Sequence, residues 1–111
     1  MVYDFLYTNN INFSYQPNIV FTYKYDNQLW SYHPDFLVGD KVYEVKGDNF
    51  FKIDELSGKE IMFLPWKGKL TLSEYTLECG KYEAKHQCML ENNVIILRSK
   101  EVNNLTIELF Q

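Results

Sequence analysis

The chain predicts an α/β fold: a single domain over residues 1–111 with one mixed β-sheet flanked by helices. Three observations carry that prediction. Residues 11–46 hold short runs in which apolar and polar residues alternate, or β-branched and aromatic residues cluster, as in half-buried strands. Residues 73–91 hold an apolar stripe at helical spacing behind a serine suited to cap a helix. Val94 to Leu97 then forms a short apolar run of the buried-strand type. A strand that follows a crossing helix tends to join its sheet in parallel.

Taken in order, residues 2–7 read as the last turns of a helix ended by Asn9-Asn10. Ile11 to Gln16 alternates apolar and polar residues, and Pro17-Asn18 interrupts it. Ile19 to Tyr25 is a second strand by composition. Asp26-Asn27-Gln28 turns the chain into Leu29 to Tyr32, and His33 to Val38 continues as strand. Gly39-Asp40 is a two-residue loop of the kind that favours a primed hairpin turn, with Lys41 to Lys46 as the return strand. Residues 50–72 carry Ser57-Gly58, Pro65 and Gly68 and read as irregular. Ser73 is the expected cap of a helix to about Glu91. Its stripe would be Tyr75, Cys79, Tyr82, His86, Met89 and Leu90, with Glu74, Glu78, Lys81 and Lys85 on another face. Ser99 would cap a short final helix.

The chain has 46% hydrophobic and 17% aromatic residues, enough for one core and not for two. Its net charge of -4 argues against nonspecific nucleic-acid binding, but the charge is uneven. Residues 1–40 hold four acids and one base, while residues 41–69 hold six lysines against five acids, a local basic surface. Cys79 and Cys88 fall on one helix, about 13 Å apart at 1.5 Å per residue, beyond disulfide reach. The start MVYDFLYTNN has no basic n-region or apolar h-region, and no run approaches a membrane span. The chain therefore reads as reduced, soluble and cytoplasmic, with no membrane partner.

The segment that carries chemistry is Tyr32-His33-Pro34-Asp35-Phe36-Leu37-Val38, followed by Lys41-Val42-Tyr43-Glu44-Val45-Lys46-Gly47. If Gly39 and Asp40 form the loop, Val38 faces Lys41, Asp35 lies across from Glu44, and His33 lies across from Lys46. All four side chains then share one face. Carboxylates opposed at about 4.5–5.5 Å destabilise a sheet and need a compensating cation. Mg²⁺ or Mn²⁺ suits oxygen ligands from Asp35, Glu44 and the Val45 carbonyl. Lys46 would orient or deprotonate an attacking water, or stabilise charge on a phosphate. Gly47 would let backbone approach closely past the site.

Pro34-Asp35, eight residues, then Glu44-Val45-Lys46-Gly47 resembles the active-site signature of the PD-(D/E)XK nuclease superfamily. The resemblance implies a restriction-endonuclease-like core of a helix, three or four antiparallel strands, a helix and a further strand. It implies a metal-dependent DNA endonuclease of phage or mobile-element type. Asp35, Glu44 and Lys46 would be catalytic, and Mg²⁺ or Mn²⁺ would be the cofactor. Lys52, Lys81 and Lys85 are the candidates for DNA phosphates, and a homodimer is expected because one site cuts one strand. Family members carry a further glutamate on the first helix, whereas that helix looks truncated here and no Glu precedes Glu44. Asp48 or a partner chain would have to supply the missing oxygen.

Three plainer expectations stand beside these. Asp35 and Glu44 would be solvated residues on an exposed sheet if the motif arose by chance in an unrelated binding domain. His33 would be a rim neighbour and His86 a packed histidine. Glu74 and Glu78 would pair with Lys81 and Lys85, and Trp66-Lys67-Gly68-Lys69 would be either a turn or a DNA-contacting loop. A nuclease-fold protein that no longer cleaves, acting by DNA or protein binding as an inhibitor or accessory factor, is the alternative function.

Overall fold

Around Gly39 the chain turns as its sequence predicts. The computed structural model describes all residues, Met1–Gln111, and in it Gly39 takes a φ of 63°, the left-handed value a two-residue hairpin loop needs at its first position. Val38 faces Lys41, Leu37 faces Val42 and Phe36 faces Tyr43. These strands, β4 (Phe36–Val38) and β5 (Lys41–Val45), form the centre of a four-stranded sheet. β1 (Ser14–Tyr15) lies antiparallel on the outer side of β4. On the other side, β8 (Ile95–Leu97) runs parallel to β5. The mixed α/β sheet read from the sequence is therefore present.

Its membership is smaller than expected. β2 (Phe21–Tyr25) and β3 (Gln28–Tyr32) form their own two-stranded hairpin. Its Asp26-Asn27 loop has φ of 54° and 58°, the double left-handed bend of a type I′ turn. β3 does not run on into β4, because Pro34 offers no N–H to a ladder and biases its predecessor. Only Ser14–Tyr15 of the Ile11–Gln16 run pairs, and Gln16 then bends at φ 48°. The irregular stretch expected over residues 50–72 contains a third hairpin, β6 (Phe51–Ile53) with β7 (Glu60–Met62). A 3₁₀ turn at Asp48–Phe50 leads into it. Three-residue strands flanking a polar loop leave too little periodicity to read from sequence.

Side-chain alternation divides the core in two. Phe36, Val38, Tyr43 and Leu97 turn to one face and pack with Val2 and Leu6 of α1 (Val2–Thr8) and with Phe110. Phe110 belongs to a C-terminal 3₁₀ turn at Ile107–Phe110 that the sequence pattern did not signal. Val42 and Ile96 turn to the other face, where Tyr32, Met62, Met89 and Val94 are buried. α2 (Leu72–Glu91) covers that second core.

The cap of α2 is Thr71 rather than Ser73. Thr71 Oγ1 accepts from the Glu74 N–H at 3.1 Å, and Glu74 returns a carboxylate to the Thr71 N–H at 2.8 Å, a reciprocal cap. The buried positions of α2 are His86, Cys88 and Met89. Leu90, expected in the stripe, is 52% exposed, because the helix ends at Asn92 and turns Cys88 inward instead. Both cysteines are free thiols. α3 (Ser99–Val102) begins after Arg98, whose N–H is capped by Glu101, so Ser99 is its first residue and not its cap. No helix is long and apolar enough to cross a membrane.

One glycine fixes how the β2–β3 hairpin meets α2. A Cβ at Gly80, in mid-helix, would lie 2.0 Å from the Tyr25 hydroxyl oxygen and 2.7 Å from its Cζ. Alanine ordinarily stabilises a helix interior by about 1 kcal/mol over glycine. Here Gly80→Ala is expected to reverse that sign and destabilise by about 1–3 kcal/mol, the usual consequence of overpacking. A urea midpoint equal to or above wild type would mean that Tyr25 does not rest on the helix.

Candidate active site

The site begins where β4 leaves its partner. The ladder ends at Phe36 facing Tyr43, and the Pro34-Asp35 step bends away. Asp35 is thus not a ladder partner of Glu44, as the extended register had implied. Its N–H donates to the Tyr43 carbonyl at 3.2 Å. Its Oδ2 accepts from the Val45 N–H at 2.8 Å. A side-chain oxygen replaces the main-chain acceptor that the departing strand withdraws. N–H and C=O of a strand residue leave from the same edge, so the Val45 carbonyl also faces the gap.

Glu44 follows Tyr43 and alternates to the α2 side. It is 6% exposed and lies beside Ile96 of β8. Its Oε1 accepts from the Tyr32 hydroxyl at 2.8 Å. Burial and then the Asp35 charge push the Glu44 carboxyl up to about 7, against the Tyr32 hydrogen bond and the Lys85 and Lys46 charges. The Tyr32 hydroxyl is itself pushed far up, by burial and then by Glu44, so it remains a donor. Lys46 shares the α2 face. Its Nζ lies 4.3 Å from the centre of the Phe50 ring and 5.5 Å from that of Tyr82. Burial and the Lys85 charge lower its affinity for a proton, opposed by Glu44 and Asp35. Its backbone N–H is tied to Leu97 at 3.0 Å.

The four expected groups do not all share one face. Glu44 and Lys46 do. Asp35 sits at the seam, its charge acting on both of them, while it also borders an apolar groove with Val2, Tyr3 and Tyr15 on the α1 side. His33 does not face Lys46. It is exposed and lines a shallow polar depression with Gln16, Pro17, Pro34 and Asp35, a rim position. Gly47 has an unstrained φ of -67°. A Cβ there would meet only the Asn49 side chain, with Oδ1 at 2.7 Å, so room for a side-chain end is its visible role.

No family model, curated protein or solved structure matches this chain. What it does is therefore read from its own groups.

Lys85 joins the cluster from α2, with Nζ 5.2 Å from the Tyr32 ring centre, and Lys81 lies 3.7 Å over Trp30. The expected pairing of these lysines with Glu74 and Glu78 is absent. The ion pairs are Arg98 with Asp48 at 2.8 Å and with Glu60 at 2.6 Å, and the Met1 amino group with Asp4 at 4.0 Å. Lys52 is exposed on β6 over the Phe63 ring and makes no ion pair with the cluster. His86 is buried and meets Phe51 edge-on at 5.6 Å, the packed histidine expected. Trp66 is 58% exposed and edges Phe50 at 5.7 Å.

The donor set limits the choice of metal. No group of three or more His, Cys, Asp or Glu side chains stands close enough to hold an ion. Asp48, expected as a source of the missing oxygen, is engaged by Arg98. Asp4 is solvent-exposed on α1, which packs against the other core. Asp35 and Glu44 each keep one oxygen outside the hydrogen bonds described. Two carboxylate oxygens and a carbonyl suit Mg²⁺ or Mn²⁺, which bind through one or two carboxylates, retained waters and substrate phosphate. They do not suit a zinc cage.

Tyr32 is the member of this cluster that sequence reasoning missed. A buried phenol seeks an acceptor, but Tyr32 and Glu44 lie in different sheets, so no strand register pairs them.

The raised Glu44 group makes stability depend on pH. A carboxyl whose folded-state value lies above its unfolded value stabilises the protein fully below about 4.5, and that contribution is lost as pH rises through about 7. The gap corresponds to roughly 3 kcal/mol. His86, pushed down by burial, titrates with the opposite sign, so the difference between proteins is the quantity to read. Glu44→Gln, which keeps an acceptor for Tyr32, is expected to gain stability over wild type between pH 5 and pH 8. Parallel urea midpoints at the two pH values would show that Glu44 is not buried as a charge.

Proposed function

We propose that this chain is a metal-dependent DNA endonuclease of the PD-(D/E)XK type, acting in the cytoplasm of a bacterial or phage-infected cell. The observation that carries the reading is the Asp35 carboxylate bound to the Val45 N–H, between Glu44 and Lys46 in the chain, at the point where β4 parts from β5. The order α1, antiparallel β1, β4 and β5, α2, then parallel β8 supports a restriction-endonuclease-like core.

Asp35, Glu44 and the Val45 carbonyl would hold Mg²⁺ or Mn²⁺. When bound, the ion neutralises charge growing on the scissile phosphate and acidifies water. The other work falls to the chain. Glu44, near its titration midpoint at neutral pH, changes charge readily as cation or substrate arrives. Tyr32 holds one Glu44 oxygen and so orients the other. The Lys46 ammonium orients the attacking water and stabilises charge on the phosphate as the new phosphorus–oxygen bond forms and the bridging ester bond breaks, and the water's proton passes to solvent. The departing ester oxygen collects its proton from solvent.

A second reading has its own support. Only two carboxylates meet at the site, Asp48 is committed to Arg98, and the net charge is -4. Those features favour a nuclease-fold protein that binds DNA or another protein without cutting. Supercoiled plasmid incubated with Mg²⁺ or Mn²⁺ separates the two. The nuclease reading expects nicking by wild type and losses of about 100-fold or more in Lys46→Ala and Glu44→Ala. Linear product would require two sites, and hence a homodimer. Retarded but intact plasmid supports the binding reading. Equal nicking by wild type and both variants removes the enzyme.

A further inference from the structure

A cavity of about 190 Å³ lies between α2 and the β2–β3 hairpin, lined by Tyr23, Ser31, Glu78, Lys81, Tyr82 and Lys85. Two of its lining groups lack a carboxylate partner. Lys81 and Lys85 are half-buried, yet neither has a carboxylate within ion-pair distance. Each is held instead against an aromatic face, Trp30 at 3.7 Å and Tyr32 at 5.2 Å. A ring face stabilises an ammonium without neutralising it, so both charges remain available. Four residues of helix set the two stems about 6 Å apart along one side of α2.

The remaining lining completes a set of donors. Ser31, Tyr23 and Tyr82 bring hydroxyls from the hairpin and the helix. The Tyr23 and Tyr82 phenols are pushed up, burial first and Glu78 among the charges, so both stay protonated. Within the lining, two ammoniums face the single carboxylate of Glu78, while Lys85 also faces Glu44 beyond it. Donors converging from two elements suit a tetrahedral anion. A planar carboxylate would be served better by a guanidinium fork, and the lining has no arginine.

We propose that this cavity is a phosphate-ester seat, with Lys81 and Lys85 supplying charge and Ser31, Tyr23 and Tyr82 supplying hydroxyl donors. The ester is either a free nucleotide or the backbone of a nucleic-acid strand, and the seat requires no hydrolysis at Asp35 and Glu44. Lys85 acts on Glu44 and Lys46 as well, so a strand seated here would pass the carboxylate pair.

Trp30, directly beneath Lys81, is a built-in reporter. In a Trp66→Phe background it is the sole tryptophan, and Trp66 is exposed enough to be replaced. The protein is titrated in EDTA with inorganic phosphate, a 5′-mononucleotide and a short oligothymidylate, following Trp30 fluorescence and calorimetric heat. Binding of all three is expected. Lys81→Gln with Lys85→Gln should weaken it about tenfold and lower the salt slope for the oligonucleotide by about 1.4. Glu78→Gln should tighten it, and Lys67→Gln with Lys69→Gln should leave it unchanged. Asp35→Asn should abolish nicking while keeping this affinity, which separates failure of the seat from failure of the nuclease reading. An oligonucleotide that binds more tightly than the nucleotide identifies backbone as the ligand, and equal affinities identify a free ester. No response to any of the three, or undiminished binding in the double lysine variant, overturns the proposal.

Discussion

A carboxylate buried against α2 organises this protein. Placing Glu44 in the core is unfavourable unless the group finds hydrogen bonds and opposite charge. The surroundings supply both. Tyr32 comes from the separate β2–β3 hairpin to donate a hydrogen bond, while Lys46, just past β5, and Lys85 of α2 bring positive charge. Three elements without shared strand register thereby converge on one side chain. The same convergence leaves one carboxyl, that of Glu44, titrating near neutrality.

Aromatic rings do much of the work that ion pairs do elsewhere. Lys46, Lys52, Lys81, Lys85 and Arg98 all lie over ring faces. Arg98 alone among these also pairs with carboxylates. A lysine held by a ring keeps its charge, whereas one held by a carboxylate is neutralised. The chain can thus be acidic overall and still present positive charge beside Glu44. Exposed ion pairs contribute little to stability in any case.

Arg98 has a different task. Sitting just after β8, it grips Asp48 and Glu60 and lies 3.9 Å from the centre of the Phe51 ring. These contacts fasten the β6–β7 hairpin to the end of the main sheet. They also engage the Asp48 carboxylate. The seam between β4 and β5 holds Asp35, with Glu44 on the α2 side of the same strand end.

The central hairpin was legible in the sequence, because a Gly-Asp loop taken as two residues between two strand-like runs sets the register and each strand then alternates faces. That alone brought residues 35, 44 and 46 to one end of the sheet. The helix over residues 72–91 and the parallel strand after it were equally readable from periodicity. Tertiary structure decided the rest. Asp35 turns its carboxylate into the ladder because β4 bends away at Pro34, an event that local pattern marks but does not orient. The β2–β3 strands left the main sheet to pack Tyr25 on Gly80, and Tyr32 met Glu44 as a result. Local sequence sets backbone direction and face, but meetings between elements depend on how separately formed surfaces pack, and only the folded chain brings those surfaces together.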